Sequence, residues 1–297
     1  MEFSLTTKQK IILSGIIFLV WVNVLAWREV AFVATWHFLK VEVLDIGQGD
    51  SIFIQTPDRR SILVDGGPGT SVMEKLSREL PFWNKHLDVV ILTHPDQDHL
   101  LGLFSVLEKY KVDYIVWTGI VRDGANYQTW TNLLEKKRKE GSKIIFADSN
   151  TIIRNNQTAL TVIHPLHNLS GIFFGKADND TGIVSRLAYG KNAFLLTADV
   201  SFDVEKELLK EKADISADVL KVAHHGSKYS SSEDFLQAVH PTWAAISVGK
   251  NNTYGHPTPE VLQKLAKFDI KTLRTDESGN ITFLSDGSDI HIITSKP

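Results

Sequence analysis

The loop His94-Pro95-Asp96-Gln97-Asp98-His99 constrains this chain more than any other stretch, because it crowds two imidazoles and two carboxylates into six consecutive positions. A largely apolar run, Leu87 to Thr93, interrupted only by Asp88, precedes it and reads as a buried strand. Leu100 to Tyr110 follows and reads as a helix. Placed between two packed elements, these side chains cannot all be solvated, and a cation is needed to offset their burial. Two cations share such a set better than one. The bland alternative is a solvated acidic loop capping a helix, which the apolar flanks disfavour. Asp98 and His99 are expected near the helix N-terminus, with His94 and Asp96 on the other side of the turn.

The chain has no cysteine, so any metal is held by nitrogen and oxygen, and disulfides and thiolate sites are excluded. Apolar residues make up 43% and charged residues 23% of its 297 positions, which suits a globular core and argues against wholesale disorder. The net charge of −3 is not that of a nucleic-acid coat protein. A nucleic-acid substrate stays open, because a metal centre supplies positive charge locally.

Ile11 to Trp27 carries no charge and lies at the short end of what crosses a bilayer. Lys8 and Lys10 before it favour a cytoplasmic N-terminus over residues 1–10, with the rest of the chain outside. A cleavable signal peptide is the alternative, with Val24-Leu25-Ala26 as a passable cleavage site. Residues 28–39 read as a juxtamembrane stretch, and residues 40–297 as the catalytic domain. Strand patterns at Leu39–Ile46, Asp50–Thr56 and Ser61–Val64 are followed by alternating strands and helices to Phe268. No repeat or linker interrupts them, so the region reads as one α/β domain of stacked layers.

The loop resembles the His-x-[His/Asp]-x-Asp-His signature of the metallo-β-lactamase superfamily. Further motifs resemble the hydrolase domain of the DNA-uptake competence protein ComEC. They are Leu44-Asp45-Ile46-Gly47-Gln48-Gly49-Asp50-Ser51, Leu63-Val64-Asp65-Gly66-Gly67, Leu195-Leu196-Thr197-Ala198-Asp199-Val200, Leu220-Lys221-Val222-Ala223-His224-His225-Gly226-Ser227 and Tyr254-Gly255-His256-Pro257-Thr258-Pro259. The likeness runs from about Lys40 to Ser285.

The resemblance implies a four-layer αββα sandwich with two metal ions, zinc or manganese, in a cleft at one edge; the apolar run read above places one transmembrane helix before it. His94 and Asp96 would hold the first ion, Asp98, His99 and His256 the second, and Asp199 would bridge them. Asp65 would orient the ligand histidines. Asp178-Asn179-Asp180 stands where many members carry a further histidine, so Asn179 or Asp180 is a candidate for that place. His164 and His167 are weaker substitutes. On an alternating strand, His224 and His225 would face opposite ways. Likeness to the tRNA-processing ribonuclease Z makes His224 the catalytic one, as proton donor or phosphate ligand, with Asp98 orienting the water. His225 is a candidate for a metal ligand, for supporting a ligand from behind or for packing, and Ser227 for a phosphate contact. The remaining histidines, His37, His86, His240 and His291, are bland.

The activity implied is hydrolysis of a phosphodiester, favouring DNA outside the membrane, with a DNA-uptake channel as a partner. One apolar segment cannot itself form a channel of many spans. Opening of a lactone, thioester or β-lactam is the second reading, and a non-catalytic membrane-anchored binding module the third.

Overall fold

The computed structural model describes residues 6–35, 38–175 and 179–296. His37 and Asp178 lie outside the described residues, as do the first five residues of the expected cytoplasmic N-terminus. The chain divides into two compact units, Met1–His37 and Phe38–Pro297. In the first, helix α1 (Thr7–Thr35) takes in the whole apolar run and continues through most of the expected juxtamembrane stretch. Its segment Thr7–Trp27 is long and apolar enough to cross a membrane. Because its side chains are apolar on every face, it has no polar stripe to turn toward water, as a surface helix would.

The second unit is built on two sheets. The first contains β1 (Leu39–Val43), β2 (Ile52–Gln55), β3 (Ser61–Val64), β4 (His86–Ile91), β5 (Lys111–Trp117) and β6 (Lys143–Phe146). The second contains β7 (Ile152–Arg154), β8 (Thr158–His164), β9 (Val184–Tyr189), β10 (Asn192–Leu196), β11 (Val219–Lys221), β12 (Trp243–Ile246) and β13 (Lys271–Arg274). The last strands, β14 (Ile281–Ser285) and β15 (Ile290–Thr294), return to the first sheet, where β14 pairs antiparallel with β1. The sheet orders are β15-β14-β1-β2-β3-β4-β5-β6 and β13-β12-β11-β10-β9-β8-β7.

Helices α2 (Ser71–Glu79), α3 (Gln97–Lys109) and α4 (Ala125–Lys139) cover the first sheet, and α5 (Phe202–Lys210), α6 (Glu233–Val239) and α7 (Pro259–Lys267) the second. Three apolar cores hold the layers together. One lies between the sheets, with Val41, Ile54, Val64 and Ile91 facing Leu160, Leu187, Phe194 and Leu196. The others lie under the outer helices, where Leu63, Val90, Leu100 and Leu103 meet, and where Leu195, Leu220, Phe235 and Leu265 meet. Strands buried on both faces explain the near-continuous apolar runs of β3, β4, β10 and β11. The expected αββα sandwich is the observed architecture.

Two sets of parallel strands position the site. β3, β4 and β5 run parallel, as do β10, β11, β12 and β13. In such sheets ligands gather beyond the carboxyl ends of the strands. Here Asp65 follows β3, His94 follows β4, Asp199 follows β10, His225 follows β11 and Ser247 follows β12.

Candidate metal centre

Helix α3 begins at Gln97, so Asp98 and His99 sit inside its first turn rather than before it. Close packing fixes that turn. The Gly66 amide donates to the His99 carbonyl at 2.7 Å, and the Gly102 amide to the Gly67 carbonyl at 3.0 Å. A Cβ on Gly102 would stand 1.8 Å from the Gly66 carbonyl oxygen, so only glycine admits this contact. The approach brings His99 onto Asp65, whose Oδ2 lies 2.8 Å from His99 Nδ1.

Asp65 also organises His94. Its Oδ1 accepts from the Thr93 amide at 2.8 Å, and its Oδ2 from Thr93 Oγ1 at 2.7 Å. Having donated its proton to Asp65, Thr93 Oγ1 is left to accept from His94 Nδ1, 3.0 Å away. One carboxylate therefore sets the tautomer of two histidines, directly for His99 and through Thr93 for His94.

The strand carrying His224 and His225 ends earlier than the alternating pattern suggested. β11 stops at Lys221, and both histidines adopt left-handed backbone conformations, with φ of 50° and 54°. The pair consequently does not alternate across a sheet. His225 turns inward and is buried, whereas His224 stays partly exposed. His225 Nδ1 lies 2.9 Å from the Ser247 carbonyl, to which it donates.

With all three Nδ1 atoms engaged as donors, the Nε2 lone pairs of His94, His99 and His225 are left over. None of these buried Nε2 atoms has a hydrogen-bond partner, and neither does Asp199 Oδ1. His99 Nε2 lies 3.3 Å from Asp199 Oδ2, and His225 Nε2 lies 3.2 Å from the same oxygen and 3.3 Å from Asp98 Oδ2. Asp98, His99, Asp199 and His225 each direct one ligand atom into a common point, with those atoms within 4.8 Å of one another. Atoms bound tetrahedrally at about 2.0–2.1 Å lie roughly 3.3 Å apart, so the spacing fits a zinc-sized cation.

The electrostatics agree. Burial pushes His99 and His225 down, but facing carboxylates outweigh it and raise both well above the ordinary imidazole value: Asp199 and Asp65 for His99, Asp199 and Asp50 for His225. Burial pushes Asp199 up, and His225 and His99 carry it well below the carboxylate range. The cluster demands positive charge, which protons or a metal ion can supply. His94 goes the other way. Burial and then the neighbouring His99 depress it, which keeps its ring neutral.

The other expected positions divide. His94 Nε2 lies 3.9 Å from Asp96 Oδ2, and the other Asp96 oxygen accepts from Arg122 at 2.6 Å. Asp180 is engaged elsewhere, accepting from the Ser201 amide at 2.8 Å and its hydroxyl at 2.9 Å. Asn179 opens a short 3-10 helix. Ser227 is buried, and its Oγ accepts from the Tyr229 amide at 3.4 Å. His164 is buried on the end of β8, its Nδ1 2.9 Å from the Gly182 carbonyl. His256 stands at the rim, its ring 5.6 Å from that of His224 and stacked on exposed Tyr254 at 6.0 Å. His224 Nε2 is 4.0 Å from Asp199 Oδ2.

Sequence reasoning passed over Asp50, Lys221 and Arg122. Asp50 and Lys221 form a buried ion pair of 2.6 Å, and Asp50 Oδ1 lies 3.3 Å from His225 Nδ1. A lysine inside the apolar run Val219-Leu220-Lys221-Val222-Ala223 was the available signal, since an unpaired lysine is almost never fully buried.

Residues 44–249 match the profile of the metallo-beta-lactamase superfamily. Among curated proteins, the chain is 34% identical over 261 residues to ComE operon protein 3 of Bacillus subtilis (strain 168), covering 82% of this chain and 33% of that protein. It is 30% identical over 245 residues to competence protein ComA of Neisseria gonorrhoeae, covering 82% of this chain and 32% of that protein. The chain thus spans about a third of the length of these relatives. A solved CmlA beta-hydroxylase mutant superposes with a TM-score of 0.53 at 12% identity, over 82% of this chain and 53% of its own, which shows the shared fold.

Proposed function

The chain belongs to the metallo-β-lactamase superfamily and is a metal-dependent hydrolase of that fold; from this premise we propose that it is a two-metal phosphodiesterase that cleaves DNA outside the membrane. The observation that carries the reading is the convergence of partnerless buried atoms, His94 Nε2, His99 Nε2, His225 Nε2 and Asp199 Oδ1, at the carboxyl ends of the parallel strands. Apolar packing would not leave such atoms unpaired, because each costs about 1–3 kcal/mol.

In this reading Asp98, His99, Asp199 and His225 would hold one ion, and His94 and Asp96, with Asp199 beside them, would hold the other. His225 takes the place that sequence likeness gave to His256. Asp65 is the positioning residue that fixes both His94 and His99. Divalent metals held there would supply a water acidic enough to ionise near neutral pH, and positive charge for the scissile group. Asp98, at the edge of the cluster, orients the attacking water. His224 lies on the open side and donates a proton to the leaving oxygen, and His256 binds substrate beside it. Arg122, already bonded to Asp96, adds a cation at the rim for a phosphate oxygen. The choice of DNA is supported by the competence name of a relative and by the polar rim that His224, His256 and Arg122 give this centre. Zinc and manganese both suit imidazole and carboxylate donors.

The test uses the full chain in detergent, stripped of metal and reloaded with zinc or manganese, on single- and double-stranded DNA. Metal-dependent cleavage that disappears in His225→Ala and Asp199→Asn supports the reading. Fully loaded protein that opens lactones or β-lactams but leaves DNA intact would overturn it.

A further inference from the structure

The turn after α2 exposes two large aromatic side chains that the hydrolytic site does not use. Phe82 is 82% and Trp83 73% exposed, their rings 4.8 Å apart edge to face. The turn is closed by the Asn84 amide donating to the Pro81 carbonyl at 2.8 Å, so the pair is held on ordered backbone. Isolated exposed apolar residues are ordinary, but two adjacent rings standing clear of a tight turn are costly in water.

Their place in the sheet gives them meaning. Lys40, near the start of β1, is opposite Gln55, and Gln55 is opposite Ser61 at the start of β3. β3 runs parallel to β4, and His86 at the start of β4 is opposite Lys111 at the start of β5. Lys40 also bonds Glu79, the last residue of α2. The start of β1, the Phe82-Trp83 turn and the starts of β3, β4 and β5 therefore share one end of the first sheet. The metal cluster lies at the other end, about 20 Å away along the six residues of β4.

That same end is cationic. Lys85, Lys109 and Lys111 are exposed there, Lys85 with its Nζ 5.3 Å over the Tyr110 ring, and the Lys111 amide donates to the Lys85 carbonyl. Glu108 and Asp58 are exposed acids at this end and Asp113 is half-exposed, against the further exposed cation Arg60. Aromatic rings beside lysines match the chemistry of a bilayer interface with anionic headgroups.

We propose that Phe82 and Trp83 insert into the anionic surface of the bilayer that α1 crosses, with Lys85, Lys109 and Lys111 on the headgroups. The proposal rests on α1 being a membrane anchor and is independent of the bond hydrolysed. Docked this way, the domain turns its metal centre away from the lipid, toward the polymer in solution.

The absence of cysteine allows a single-label test. Full-length Asn84→Cys and Tyr254→Cys chains are labelled with an environment-sensitive fluorophore and reconstituted in phosphatidylcholine vesicles with or without phosphatidylglycerol. Lipids carrying a nitroxide near the headgroup serve as quenchers. The label at 84 is expected to shift to the blue and be quenched, more so with phosphatidylglycerol, while the label at 254 reads water. Phe82→Ser/Trp83→Ser in the Asn84→Cys chain should abolish the quenching without changing thermal unfolding, since both side chains are exposed. Equal signals at 84 and 254, or quenching that survives the double serine change, would overturn the proposal. A label at 84 shielded from aqueous quencher but untouched by nitroxide lipid would also overturn it and point to a protein partner. Flotation separates the premise from the proposal: chains that fail to float lack the anchor, and the docking falls with it.

Discussion

Replacing Lys221 with methionine tests whether the buried ion pair behind the metal cluster governs its electrostatics. Lys221 Nζ lies 2.6 Å from Asp50 Oδ2, with side-chain exposures of 1% and 3%. Methionine fills a similar volume, so the cavity contribution is small and the loss is mainly electrostatic. Removing one partner of such a pair strands a buried carboxylate and costs about 3–5 kcal/mol. For a domain of this size that is a fall in Tm of roughly 6–20 °C. Burial alone would push Asp50 up, but Lys221, followed by His225, carries it below the ordinary carboxylate range. The parent pair is therefore intact at neutral pH and weakens only in acid, as pH falls through the depressed value. In Lys221→Met the largest downward influence on Asp50 is gone, so its carboxyl ionises at higher pH than in the parent, with His225 still opposing burial. The Tm gap between parent and variant should therefore narrow as pH falls through the variant's raised value, and Lys221→Met/Asp50→Asn should recover most of the loss. Thermal unfolding of metal-stripped protein at several pH values provides the measurement. A single variant within about 1 kcal/mol of the parent, or a double variant as poor as the sum of the singles, would refute the reasoning.

Three further outcomes follow from the same geometry. Asp65→Asn should weaken metal binding by about 10–100-fold, read by competition with a chromophoric chelator, because it disturbs the tautomers of His99 and, through Thr93, His94. Gly49→Ala should destabilise the fold and lower metal content together, since its Cβ would meet the Asp98 carbonyl oxygen at 2.2 Å at a φ of +129°; an unchanged melting curve would contradict the packing. Tyr254→Ala should raise KM for single-stranded DNA by roughly 5- to 150-fold at nearly constant kcat, corresponding to the loss of about 1–3 kcal/mol of base stacking. The same variant should leave a small phosphodiester lacking a base unaffected.

The layered α/β architecture was legible in the chain because strands buried on both faces leave near-continuous apolar runs, as in β3 and β10. β7, β13, β14 and β15 were not read, since short or edge strands such as Ile152–Arg154 carry too little pattern. The candidate metal loop was legible because four nitrogen and oxygen donors crowd into six residues between two packed elements; the structure buries His94 and His99 and leaves Asp96 and Asp98 partly exposed. The backbone that presents the paired histidines was not legible: after Lys221 the chain leaves the strand and turns left-handed, so His225 points inward and His224 stays partly exposed for a reason other than strand alternation.

The sequence by itself determined that four nitrogen and oxygen donors crowd into His94-Pro95-Asp96-Gln97-Asp98-His99, that no thiolate is available to a metal, and that an apolar helix precedes the domain. These are local properties of composition and spacing. Only the tertiary structure decided that His225 points into the cluster, that Asp65 sets two histidine tautomers, that Asp180 is engaged by Ser201, and that Lys221 neutralises Asp50. Each depends on atoms brought together by sheet register and helix docking from positions far apart in the chain, and contacts of that kind leave no local pattern to read.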